Sequence, residues 1–136
     1  MELQPYIFFY GKCEEALEFY KRALGGTYEM QRVSDSGMAG QMPPDAGNRV
    51  MHASFTADNL KFMASDGRDV KTVDPDAGNI SLAIEGEDRA EGQRIFDAFS
   101  EGGNVAMPLG DAPWGDGGKF GMLTDRFGIE WMVTSP

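Results

Sequence analysis

Asn59-Leu60-Lys61-Phe62-Met63-Ala64-Ser65 and Gly128-Ile129-Glu130-Trp131-Met132-Val133-Thr134 are two copies of one pattern, 69 positions apart (132 minus 63). Each step keeps its type: turn residue, aliphatic, charge, aromatic, methionine, small apolar, hydroxyl. As strands of period two, they place Leu60, Phe62 and Ala64 on one face and Lys61, Met63 and Ser65 on the other, with Ile129, Trp131 and Val133 opposed to Glu130, Met132 and Thr134 in the second copy. The first face suits a core. The second is too mixed for a core and too apolar for open surface, which suits the lining of a cavity.

Working outward from each copy reveals a longer repeat. Val50 to Thr56 alternates, with His52 and Ser54 on the mixed face, and Asp58-Asn59 turns it into the first copy as a hairpin. Upstream, Pro5 to Tyr10 reads as an aromatic strand buried on both faces. A helix follows, with Glu14 and Glu15 at its start, Lys21 and Arg22 at its end and Gly25-Gly26 as its stop. Thr27 to Val33 reads as a strand, and Ser34 to Asn48 as a long loop in which Met38 and Met42 offer adaptable apolar contacts.

Asp66 to Gly78, charged and aperiodic, reads as a linker. The pattern then restarts. Asn79 to Ile84 is expected as a strand with Ile80, Leu82 and Ile84 on one face and Asn79, Ser81 and Ala83 on the other. Asp88 with Glu91 caps a helix that stops at Gly102-Gly103, 77 positions after Gly25-Gly26 (102 minus 25). Asn104 to Leu109 and Phe120 to Thr124 are further strands, and Gly110 to Gly118 is a loop carrying Trp114. Each half reads β-α-β-β-β, so the fold class is α+β. The expected organisation is one 1–136 domain, with module one over about 1–67, a linker over about 68–77 and module two over about 78–136.

Composition narrows the function classes. With 12 basic against 22 acidic residues, the net charge of −10 argues against nucleic-acid binding, which concentrates Lys and Arg. No apolar run approaches about 18 residues and no signal-peptide pattern opens the chain, so a soluble, cytoplasmic protein with no membrane partner is expected. Cys13, the single cysteine, has no partner for an internal disulfide, and its place on the apolar helix stripe favours an inert thiol. Nucleotide-binding glycine motifs are absent.

Pro5-Tyr6-Ile7-Phe8-Phe9, the helix Cys13 to Tyr20, Val50-Met51-His52-Ala53, Phe62 to Asp66, Trp114-Gly115 and Phe120 to Gly128 together resemble the PhnB-like branch of the vicinal oxygen chelate superfamily, which includes glyoxalase I, extradiol dioxygenases and bleomycin-resistance proteins. The resemblance spans about Leu3 to Val133. It implies paired βαβββ modules with curved sheets, outer helices, a concave cavity and a homodimer. It also implies that metal-using relatives carry four ligands on the first and last strands of each half. Those positions fall here on Pro5, Met63, Asn79 and Met132, a set poorly suited to a divalent ion. No metal site and no cofactor are therefore expected.

Two functions follow from this reading. The first is a small-molecule binding protein of the glyoxalase/bleomycin-resistance type, with a partly apolar ligand contacted by Ile7, Phe9, Ser54, Met63, Ser65, Asn79, Ser81, Trp114 and Met132. The second is a lyase, isomerase or dioxygenase-type enzyme using His52 with a nearby carboxylate such as Asp66, and a divalent metal only in that case. His52 is otherwise a satisfied histidine of a half-polar strand, and Asp66 a turn former. Trp114 either closes a cavity, fills a dimer seam or packs beneath its own loop.

Overall fold

The computed structural model describes residues 1–37, 39–41, 44–67 and 80–136. The chain divides into two compact units, Met1–Thr72 and Val73–Pro136. Unit 1 runs β1 (Tyr6–Phe8), α1 (Cys13–Leu24), β2 (Thr27–Arg32), β3 (Val50–Ala57) and β4 (Leu60–Ser65). Its sheet has the order β1-β4-β3-β2, with β1 parallel to β4 and the other pairs antiparallel. Unit 2 repeats the plan with β5 (Leu82–Glu85), α2 (Arg89–Ser100), β6 (Asn104–Asp111), β7 (Lys119–Thr124) and β8 (Glu130–Ser135), in the order β5-β8-β7-β6. Both halves of the expected α+β, βαβββ repeat are present.

The apolar positions of the repeat become the cores. In unit 1, Phe55 and Phe62 lie opposite each other across β3 and β4, their rings stacked at 4.9 Å, and Tyr20 of α1 meets Phe62 edge-on at 5.7 Å. Burying each such ring contributes about 1.5–3 kcal/mol. In unit 2, Trp131 packs on Phe99 of α2 at 4.7 Å. The expected double-glycine stops do two jobs. Gly25 and Gly102 take left-handed φ of 75° beyond the helix body, while Gly26 and Gly103 lie so close to the carbonyl oxygens of Thr56 and Thr124 that a side chain has no room.

Several boundaries differ from expectation. β1 is three residues long and not buried on both faces, since Tyr6 and Phe8 are exposed. Tyr6 and Phe8 lie on the sheet face turned away from α1, which is left open, so only the side toward α1 is covered. β2 ends at Arg32, because Val33 begins the first of three short 3-10 turns (Val33–Asp35, Ala39–Gln41, Pro44–Ala46) that occupy the described part of the long loop. β5 begins at Leu82, and Ile80, expected within the strand, is 76% exposed ahead of it. β6 continues to Asp111 through two register shifts. Met38, Met42, Asn79 and the 68–77 linker lie outside the described residues.

Candidate functional site

Strand register assigns each side chain to a face. Tyr6 pairs with Met63 and Met63 with Ser54, so these three share the sheet face turned away from α1. Phe8 pairs with Ser65 and Gln31 with His52, which extends the same face. The Tyr6 hydroxyl and His52 Nδ1 are 3.2 Å apart, within hydrogen-bond range. The two ring centroids are 5.7 Å apart; Phe8 follows Tyr6 at 5.2 Å, and Tyr10 stacks on Phe8 at 6.3 Å. Exposed aromatics thus run along β1 beside the half-buried Met63 and the exposed His52 and Ser54. With Nδ1 taken by Tyr6, Nε2 is the ring nitrogen offered to a ligand.

This register corrects the first-strand residues expected at the site. Ile7 pairs with Ala64, which is fully buried, and Phe9 is buried against Tyr20 of α1 at 6.0 Å. Phe9 belongs to the core beneath the helix, the half-buried Ile7 points to the same side, and the residues on the open face are Tyr6 and Phe8. The sequence carried no face signal here, because every position from Pro5 to Tyr10 is apolar or aromatic.

Asp66 is also reassigned. Its Oδ1 accepts from the Cys13 amide at 2.8 Å and its Oδ2 from the Val50 amide at 2.7 Å, both in buried surroundings. It caps the N-terminus of α1, where Lys12 makes no side-chain cap, and pins that end to β3. With each oxygen engaged by a backbone amide and His52 Nδ1 facing Tyr6, the expected His52–Asp66 dyad is not assembled. Ser65, expected to meet ligand, is buried, and its Oγ accepts from the Gly67 amide at 3.2 Å. The Cys13 thiol is pushed up to about 12 by burial, then by the charges of Asp66 and Glu14, which makes it a poor nucleophile.

In unit 2 the corresponding face carries Ala83, Met132, Met122 and Met107 as one cross-strand row. Ser81 precedes β5, and its hydroxyl donates to Glu130 Oε2 at 3.3 Å on this face. Trp114 is exposed, its Nε1 donating to Asp116 at 2.6 Å. Asn79 lies outside the described residues.

The register also tests the implied metal positions. Tyr6 pairs with Met63 as Ala83 pairs with Met132, so the two methionines are equivalent, as expected. Pro5 and Asn79 are not equivalent to each other: the counterpart of Pro5 is Leu82. Taken by itself, each sheet presents poor donors for a hard or borderline divalent ion: a phenol beside a thioether in unit 1, and a methyl group beside a thioether in unit 2. Among the described residues, no group of three or more His, Cys, Asp or Glu is placed to hold one. The residues present do not fit the metal.

Comparison with known proteins agrees with the fold and the repeat. A family model described as 3-demethylubiquinone-9 3-methyltransferase matches residues 1–134. Protein PA1353 from Pseudomonas aeruginosa is 37% identical, with a TM-score of 0.83 over 99% of this chain and 97% of that one. A PhnB protein from Bacillus cereus, titled a putative 3-demethylubiquinone-9 3-methyltransferase, is 29% identical, with a TM-score of 0.75 over the full length of both chains. A glyoxalase-related enzyme from Fulvimarina pelagi shares the fold at 15% identity, with a TM-score of 0.63 over 100% of this chain and 89% of that one.

Proposed function

The chain belongs to the PhnB-like, 3-demethylubiquinone-9 3-methyltransferase family, and on that premise we propose that it binds a small, partly apolar molecule without a divalent metal. The observation that carries this reading is the unit 1 sheet face, where exposed Tyr6 and Phe8 lie beside Met63 and the Tyr6–His52 contact supplies directional polarity. Apolar area provides affinity on such a face, and the few polar groups fix orientation.

The methyl-transfer activity in the family's description finds little support in this chain. An adenosyl cofactor is commonly held by a glycine-rich strand-to-helix loop with free helix amides. Here the Cys13 amide of α1 is taken by Asp66, and α2 is capped by its own Asp88, which accepts from the Glu91 amide at 2.8 Å. A second reading, an enzyme using His52 as a base, is favoured by the Tyr6 contact, which orients the imidazole.

Metal analysis of chelator-free protein, followed by a thermal-shift screen of small aromatic and aliphatic acids and alcohols, tests the proposal. Binding to the native state raises Tm by mass action. The expected result is substoichiometric metal, with a ligand-induced rise in Tm that is reduced in Tyr6→Phe and His52→Ala. Stoichiometric metal that disappears in His52→Ala would overturn it.

A further inference from the structure

At one end of the second sheet, where β7 leaves the 112–118 loop, a cavity of about 350 Å³ opens among Glu85, Trp114, Asp116, Lys119, Thr134 and Ser135. Trp114 is its distinctive wall. The indole is 57% exposed yet held in place, because Nε1 donates to Asp116 Oδ2 at 2.6 Å and the ring meets Phe120 edge-on at 5.0 Å. A large apolar ring kept rigid and uncovered in a glycine-rich loop is prepared for a contact that unit 2 itself does not supply.

The charges around it are unequally satisfied. Lys119 is neutralised by Asp111 at 2.7 Å. Arg89 directs Nε to the backbone oxygen of Pro136 at 3.1 Å and Nη2 to the Gly117 carbonyl at 3.0 Å, so its guanidinium braces the loop. Asp116 accepts from the Gly118 amide at 2.8 Å and from Trp114. Those bonds, the Gly118 amide first, hold its carboxyl below the usual range, so it stays charged at neutral pH. Glu85 pairs in register with Thr134, is exposed, and has no ion-pair partner among the described residues.

An indole and two carboxylates lining one cavity, with Asp116 bonded to the Nε1 edge of the ring, attract positive charge in two ways, through the ring quadrupole and through Coulomb attraction. We propose that this cavity binds a small organic cation, with an ammonium group seated between the Trp114 ring and the carboxylates of Glu85 and Asp116. The proposal rests on unit 2 residues alone, and its test involves neither Tyr6 nor His52.

Calorimetric titration of the full chain with choline chloride is the test, with sodium chloride and the neutral isostere 3,3-dimethylbutan-1-ol as controls. Choline is expected to bind saturably, at least about tenfold tighter than the alcohol. Glu85→Gln, a change at an exposed position, is expected to weaken binding severalfold, and Trp114→Leu to abolish it while the circular dichroism of the fold is kept. Three results overturn the proposal: heats that match the salt control, equal affinity for the alcohol, or undiminished choline binding in both variants.

Discussion

Asp66→Ala is the substitution that most sharply separates a structural carboxylate from a catalytic one. The side chain is 7% exposed and each oxygen accepts a buried backbone amide, from Cys13 and from Val50. Hydrogen bonds to a charged acceptor contribute roughly 1.5–3 kcal/mol each. Losing both, with two buried amides left unpaired, is expected to cost about 3–5 kcal/mol, and the carboxylate's attraction to the α1 N-terminus adds up to about 1 kcal/mol. In a domain of this size, 1 kcal/mol moves Tm by roughly 3–5 °C, so Tm should fall by about 10–20 °C. Asp66→Asn keeps one acceptor oxygen and should lose about half as much. Thermal and urea unfolding followed by circular dichroism measure both variants. A Tm for Asp66→Ala within about 3 °C of the parent would refute the capping argument. If ligand response also vanished at that unchanged Tm, Asp66 would belong to the chemistry.

The Ser135 hydroxyl is buried without a hydrogen-bond partner among the described residues, in contact range of Gly92 on α2. Ser135→Ala should therefore be neutral or stabilising by about 1 kcal/mol. Gly92→Ala, whose new methyl would lie 2.8 Å from Ser135 Cβ, should cost about 1–3 kcal/mol; urea midpoints decide, and a destabilised Ser135→Ala would reveal a missed partner. The Cys13 proton is held to about 12 in the fold against an ordinary 9.0. Because the folded value is raised, this contribution to stability is complete below pH 9 and is lost as pH rises from 9 toward 12. Native protein at pH 8 should resist thiol reagents, labelling only as fast as it unfolds, and Cys13→Ala should show a shallower alkaline loss of Tm. Labelling of the native state at the rate of a free thiol would contradict the burial.

The repeat was legible because its alternation is strong where one sheet face is covered: Phe62 and Trp131, Ala64 and Val133 announce their burial by spacing alone. Helix α1 was legible to the residue at its glycine stop. The facing of β1 was not, since an unbroken aromatic run has no period, and only pairing with β4 places Tyr6 and Phe8 on the open side. The tertiary contacts of Asp66 were hidden for a related reason. Its partner amide at Cys13 lies 53 positions away, and no local pattern encodes that contact. Asp125 is a milder case: it reads as a turn former, yet its carboxylate also accepts from the Trp131 indole at 2.9 Å, tying the turn to the core.

The two capping carboxylates also differ in how far along the chain they come from. α1 and α2 each have 12 residues, but α2 receives its cap from Asp88, three positions before the amide it bonds, whereas the cap of α1 arrives from beyond the end of β4. Closing a 53-residue loop in place of a three-residue one carries an extra entropic cost of roughly 2–3 kcal/mol. Unit 2 can complete its helix by a local event. The Asp66 cap of unit 1 can be made only once the end of β4 lies beside α1, so two halves built to one plan are expected to assemble in different orders.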